Sequence, residues 1–466
     1  MDYKLEPKEV FRFFREISDI PRCSGNEKAI ADYLVAFAEE RDLDYYRDAK
    51  DNLILRKEGS FAYENEDPII LQGHMDMVCE KDENSCHNFE EDPIQWEVQG
   101  DLLTAKGTTL GADDGIAVAM ALAILDGDYE HPPLEVLITT NEETDMSGAL
   151  SLEADRLQGR HLINIDSEEE GILTVGSAGG ATIFATKEIE REDREIEVSK
   201  VEFSGLLGGH SGMEIHRNRG NIMKIMAKFL EKVLENGGQL CEIHAGTVDN
   251  AIPKNGYMLL HLPANSEEIK DSLLKEFQEV EGSLGIVIEK SHRGAPFSKE
   301  LSQSILGILK ETPTGVHSFV NDSDLVESSN NLALIHEKEG MIYLENSLRS
   351  AKDGKLVEME KQMESIAKKY NFCVEIGSKY PAWEYVEDSK LRKKAERLYK
   401  EMTGREFDTV VVHAGLECGA IASKYPKIDM ISIGPNITGA HTPKEDLSIS
   451  STKRVFDFIL ALLKEK

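Results

Sequence analysis

The chain of 466 residues contains no run of 18 apolar residues, which excludes a helix that spans a membrane. Its first residues, MDYKLEPKEVFRFF, lack the apolar segment and small-residue cleavage site of a secretory leader, so a cytoplasmic protein is expected. Cysteine is sparse. Cys23, Cys79, Cys86, Cys241, Cys373 and Cys418 form no C-x-x-C pair and are too few for a disulfide framework in a chain this long. Reduced thiols are therefore expected, and the spacing of Cys79, Cys86 and His87 suits no common zinc finger. Positive charge is also scarce: 53 Lys and Arg against 86 Asp and Glu leave a net charge of −33. Such an excess of carboxylates repels nucleic acid and anionic membrane surfaces, and neither is expected as a partner.

What remains is an ordinary globular composition, 40% hydrophobic and 30% charged, in a chain long enough for two or three domains. The first 180 residues alternate helix and strand signals. Residues 7–18 and 26–40 read as amphipathic helices, with Ser24 to Glu27 resembling a capping box. Residues 52–57, 68–74, 134–140 and 161–166 read as strands, and the small-residue segment 116–126 as a helix buried against a sheet. The pattern predicts an α/β domain with a mostly parallel sheet between helices.

Near residue 187 the character changes. Strands at 201–205, 257–263 and 285–290 alternate apolar and polar residues, and helices at about 217–235 and 266–280 fall between them. This β-α-β-β-α-β order is the split βαβ, ferredoxin-like arrangement. A second set follows, with helices near 298–310 and 354–370 and strands near 330–337, 341–348 and 374–378, which suggests an internal duplication. After about residue 380 the α/β character returns, with helices at 388–402 and 451–465. The expectation is a discontinuous α/β domain, 1–186 plus 380–466, with an α+β domain inserted at 187–379.

Metal-ligand residue types stand in distinctive contexts: His74 in QGHMD, Asp113 in GADDG, Glu142 and Glu143 in TNEET, Asp166 in NID and His441 in GAHTP. Three separate strands end at His74, at the glutamate pair and at Asp166, and the carboxyl ends of parallel strands are where α/β sheets bind ligands. Asp76, two residues after His74, is placed to fix the orientation of a ligating imidazole. Consecutive side chains diverge at a strand end, so Glu142 and Glu143 need separate roles, one as ligand and one as general base. Asp113, at the start of the buried helix, could serve only as an N-cap, but a carboxylate there can also bridge two metal ions.

Many further segments, including LQGHMDMV, GTTLGADDGIAVAMALA, LINIDSEEEG, GLLGGHSGMEIH, NSLRS, HAGLECGAI and GAHTPKEDLSI, resemble the co-catalytic zinc peptidases that include carboxypeptidase G, peptidase T and the acylamino-acid deacetylases. Within that family the chain is most similar to the aminoacyl-histidine dipeptidases. The resemblance implies a two-metal hydrolase of dipeptides of the Xaa-His type, carnosine among them. It implies that His74, Asp113 and Asp166 hold one divalent ion and Asp113, Glu143 and His441 the other, zinc first and cobalt or manganese as alternatives. It further implies that Glu142 is the general base, that Asp76 orients His74, and that His210 polarises the scissile carbonyl. Asn250 and Arg349 would bind the substrate's carboxyl end, and His413 and Glu417 would line the pocket. A cis peptide at Asp113–Asp114 is implied as well. An N-acyl-amino-acid deacetylase or carboxypeptidase on the same scaffold is the alternative. A silent relative acting as a binding protein would need a lost ligand or base, and every one of those positions is intact. A homodimer stays open beside a monomer whose duplicated lid replaces the partner.

Overall fold

The computed structural model describes residues 5–277, 283–320 and 325–465. The chain divides into two units: residues 1–177, 385–411 and 416–466 form one, and 178–384 with 412–415 form the other.

The first unit is built on an eight-stranded sheet. Its four central strands, Leu134–Thr139, Ile69–His74, His161–Asn164 and Asp429–Ser432, lie side by side and parallel. The Leu53–Lys57 and Asp44–Arg47 strands extend one edge antiparallel. The central strands are buried on both faces, as strands covered by helices must be, and are apolar over most of their length. The helix Ala112–Asp126 is buried over nearly its whole length. Alanine and glycine on this helix let it approach the sheet closely, and Gly73 shows how closely: a Cβ there would lie 2.5 Å from Asp114 Oδ2 and 2.8 Å from Ala117 Cβ. A small antiparallel sheet joins Trp96–Gln99 and Leu102–Ala105 to the hairpin Ile437–Thr438/Asp446–Ser448. It brings residues from near both ends of the chain to the same part of the unit.

The second unit contains a nine-stranded sheet with two βαββαβ halves. One half runs Ile196–Ser204, helix Ile222–Glu235, Gln239–Ala245, Gly256–His261, helix Ser266–Phe277, Gly285–Gly294. Residues 278–280 of the helix expected at 266–280 lie outside the described residues. The other half runs Gly179–Glu188, helix Lys299–Glu311, Val326–Lys338, Met341–Ser350, helix Asp353–Lys369, Cys373–Tyr380. In each half the first strand lies between the third and the fourth, and the two halves join where their second strands pair antiparallel at Ala245 and Ile335. The duplication expected from sequence is thus explicit in strand order. The second unit begins before residue 187, because Gly179–Glu188 is hydrogen-bonded along its length to Met341–Ser350 and supplies the missing first strand of the outer half.

Two local expectations change. Ser24 and Glu27 do not form a capping box on the helix Lys28–Glu40, which starts without a side-chain cap. Ser24 Oγ donates instead to Asp76 Oδ2 at 2.7 Å, and the Glu27 carboxylate accepts from the backbone N–H groups of Gly25 and Asn141. Nor are all six thiols reduced: Cys23 and Cys79 form a disulfide across 56 residues of sequence, while Cys86, Cys241, Cys373 and Cys418 are free.

Candidate metal centre

In the first unit all four central parallel strands lead into the same cluster. Ile69–His74 ends on His74 itself. Leu134–Thr139 turns through Asn141, with left-handed backbone at φ 54°, into the short helix that begins with Glu142 and Glu143. His161–Asn164 runs into Asp166, and the hairpin after Asp429–Ser432 presents His441, also left-handed at φ 63°. A non-glycine residue in that region is held there by its surroundings, commonly at a functional site.

Asp113 lies at the middle of the cluster, and its two carboxylate oxygens face different histidines. Oδ1 is 3.2 Å from His74 Nε2, which is also 3.6 Å from Asp166 Oδ1. Oδ2 is 3.1 Å from His441 Nε2, which is also 2.9 Å from Glu143 Oε2. Two half-sites result, His74–Asp113–Asp166 and Asp113–Glu143–His441, each with ligand atoms within 4.8 Å of one another. A third group, His74–Glu142–Glu143, brings both glutamates of the turn within reach of His74, and Glu142 belongs to this group alone. The peptide joining Asp113 to Asp114 is cis.

The His74 loop, the glutamate turn and the Asp113 segment are braced. Asp76, fully buried, faces His74 Nδ1 with its backbone carbonyl at 3.2 Å and its carboxylate at 3.4 Å, and the carboxylate accepts from the backbone N–H groups of Glu142 and Glu143 at 3.1 and 3.2 Å. It therefore orients the imidazole and anchors the glutamate turn together. Sequence reading missed three other supports. Arg22, 1% exposed, donates to the carbonyls of Met75, Asp76 and Gly111, joining the His74 loop to the Asp113 segment. Ser24 holds Asp76. Glu445, four residues after His441, accepts from the backbone N–H groups of Leu110, Gly111, Ala112 and Asp113 at 2.7–3.2 Å. The H-x-x-x-E spacing was visible, but nothing local says that its glutamate clamps a segment more than 300 residues earlier.

The electrostatics ask for cations. Burial pushes Glu142 well above the ordinary carboxylate range and Glu143 up to about 7. Burial also works against the charge on Asp113, yet hydrogen bonds from His441 and His74 hold that carboxyl low. The same contacts with Asp113 and Glu143 push His441 up to about 11, and His74 stands well above its usual value despite burial. Carboxylates and imidazoles packed this closely are the groups from which a binding metal ion displaces protons. Glu143 Oε1 is buried without a hydrogen-bond partner. Imidazole plus carboxylate in two groups sharing one aspartate fits a pair of divalent ions.

In the second unit, His210, Arg349 and His413 gather around Gly212. A Cβ at Gly212 would lie 2.5 Å from the His413 carbonyl oxygen, 3.1 Å from His210 Cε1 and 3.3 Å from Arg349 Nε. His210 Nδ1 accepts from the backbone N–H groups of Gly212 and Met213, which leaves the proton on Nε2. Burial and the Arg349 charge lower His210, and they press His413 down to about 3, so both rings are neutral near pH 7. His413 Nε2 pairs with Ser329 Oγ at 2.7 Å. Arg349 donates to Tyr380 Oη, its Nε is buried without a partner, and among the described residues no carboxylate forms an ion pair with it. Asn250 is exposed and lines a cavity of about 430 Å³ together with His210. Glu417 departs from expectation. It belongs to the first unit, is 0% exposed and is bonded to Gln72 and Thr139, so it does not line an open substrate pocket.

Residues 70–465 match peptidase family M20/M25/M40, and the chain belongs to that family. The chain is 34% identical to the cytosol non-specific dipeptidase of Escherichia coli (strain K12), over 99% of this chain and 98% of that one. Among solved structures it is similar to aminoacylhistidine dipeptidase from Vibrio alginolyticus, with a TM-score of 0.89, 34% identity and coverage of 99% and 97%. The fold extends to an aminopeptidase from Bacillus cereus at TM-score 0.57 and 14% identity, covering 99% and 98%.

Proposed function

We propose that the protein hydrolyses dipeptides bearing a free amino group, Xaa-His among them, with two divalent metal ions, zinc first. The observation that carries this reading is the division of Asp113 between two half-sites. His74, Asp113 and Asp166 would hold one ion, and Asp113, Glu143 and His441 the other. When bound, such a pair supplies a water acidic enough to ionise near neutral pH and stabilises negative charge developing on the substrate carbonyl.

The chain's own groups do the rest. Glu142, raised by burial, takes the proton of the attacking water and returns it to the leaving nitrogen as the peptide C–N bond breaks. Asp76 keeps His74 in the ligating tautomer. His210, with its proton on Nε2, is the donor to the scissile carbonyl oxygen. Arg349, which has no carboxylate partner among the described residues, takes the substrate's terminal carboxylate, together with Asn250 and His413. A fixed cation for that carboxylate restricts the enzyme to short substrates. Two close relatives with dipeptidase activity in their names agree with this reading. The cytosolic compartment of the Escherichia coli relative is proposed for this chain as well, and among the described residues no helix is long and apolar enough to cross a membrane.

The test is hydrolysis of Ala-His, carnosine and N-acetyl-histidine by protein stripped with chelator and then reconstituted with zinc. Metal-dependent cleavage of the free-amine dipeptides is expected. Cleavage of the acetylated compound alone would move the protein to the deacylases.

A further inference from the structure

Beneath the ligand cluster of the first unit lies a layer of polar side chains that the proposed reaction does not use. Gln72, Thr139, Asn164 and Glu417 are each 0–1% exposed. Three of them stand on adjacent parallel strands where aliphatic residues would be the default. Register puts them on one face: Gln72 is paired with Asn164, and Thr139 with His74. Gln72 is two residues before His74, Asn164 two before Asp166 and Thr139 three before Glu142. With a side-chain period of two, Gln72 and His74 share a face, as do Asn164 and the position of Asp166.

The hydrogen bonds converge on one carboxylate. Asn164 Nδ2 donates to Gln72 Oε1 at 2.6 Å, and Gln72 Nε2 donates to Glu417 Oε2 at 2.7 Å. Thr139 Oγ1 donates to the same oxygen at 2.6 Å. Glu417 is the first residue of the helix Glu417–Lys424, so one side chain ties that helix to two strands directly and to a third through Gln72. The arrangement is costly. Glu417 Oε1 and Asn164 Oδ1 are buried without partners, and burial pushes Glu417 up to about 7. A partly satisfied polar network is worse for stability than an apolar filling of the same volume, so stability alone does not account for this one.

We propose that Glu417 is a positioning residue for the metal centre: by binding Gln72 and Thr139 through one oxygen, it fixes the spacing of the strand ends that carry His74, Asp166 and the Glu142–Glu143 turn. Spacing matters because both half-sites draw ligands from more than one strand end, and displacement of one end separates ligands that must meet on one ion. The proposal rests on the two-metal reading.

The experiment measures zinc affinity of the chelated protein by competition with a chromophoric chelator, and kcat and KM for Ala-His at saturating zinc. It uses wild type, Glu417→Gln, Glu417→Ala and Thr139→Val. The amide oxygen of Glu417→Gln can still accept both hydrogen bonds, so its affinity and kcat are expected within about threefold of wild type. Glu417→Ala is expected to bind zinc about 10–100-fold more weakly, the range for residues that support metal ligands, and to lose kcat with KM little changed. Thr139→Val keeps shape and removes one bond, so a smaller loss of affinity is expected; it serves as the test if Glu417→Ala does not fold. Wild-type zinc affinity in a folded Glu417→Ala, or in Thr139→Val, would overturn the proposal. So would a Glu417→Gln as impaired as Glu417→Ala, because charge rather than hydrogen bonding would then be the determinant. If wild type itself binds no zinc, the two-metal reading has failed instead.

Discussion

At the scale of single residues, the centre shows how placement separates similar groups. Glu142 and Glu143 both come within reach of His74 and burial raises both, yet only Glu143 also meets His441. In the proposed reaction Glu143 holds metal and Glu142 moves the proton. Glu142→Ala should keep both metal equivalents by elemental analysis and lose turnover by about 10²–10⁴-fold, the usual contribution of a general base; normal turnover would end that assignment. His413 yields a prediction about pH. Burial and Arg349 hold it down to about 3, whereas the unfolded chain takes up the proton below about 6.5. Between those values the unfolded state binds more protons, so this residue lowers stability as pH falls through the window and has no effect above it. The slope from one such group is at most about 1.4 kcal/mol per pH unit. His413→Asn should therefore flatten the fall of urea-derived stability between about pH 6.5 and 4.5, and an unchanged slope would contradict a neutral buried ring.

At the scale of elements, strand ends were legible and the contacts that brace them were not. His74, Asp166 and the glutamate pair could be found because an apolar run followed by an acid or imidazole is a local pattern. Asp113 is ambiguous in sequence between helix cap and bridge, and the contacts of its two oxygens with two different histidines favour the bridge proposed here. His441 was placed by resemblance, since a hairpin tip with left-handed backbone has no apolar periodicity to announce it. Ser24 was misread because a capping box and a hydroxyl serving a distant aspartate look alike in sequence. Arg22, Glu445 and the bonds of Glu417 join segments far apart in the chain, and a single sequence holds no trace of such pairings. Glu445 shows what these contacts are worth. Glu445→Ala would strand four backbone N–H groups, each costing about 1–3 kcal/mol when buried and unpaired. The variant should melt well below wild type and bind zinc more weakly through the loosened Asp113 segment. A melting temperature equal to wild type would show that the clamp is dispensable.

At the scale of the whole molecule, the alternation of β and α gave the parallel sheet, and the change of pattern near residue 187 gave a second architecture inside the first. The duplication was faint for a physical reason. The first strand of the outer half, Gly179–Glu188, is separated from its own helix, Lys299–Glu311, by the entire inner half, so no continuous repeat runs along the sequence. Strand order restores it. The central claim is that the ligand cluster of the first unit works as a pair of metal sites sharing Asp113. The most direct measurement is a zinc titration of chelated protein, with hydrolysis of Ala-His followed at each addition, repeated on His441→Ala. The account predicts negligible turnover without metal, a plateau at two equivalents per chain, and binding of a single equivalent by the variant. Full turnover without metal, or saturation of wild type at one equivalent, would contradict it.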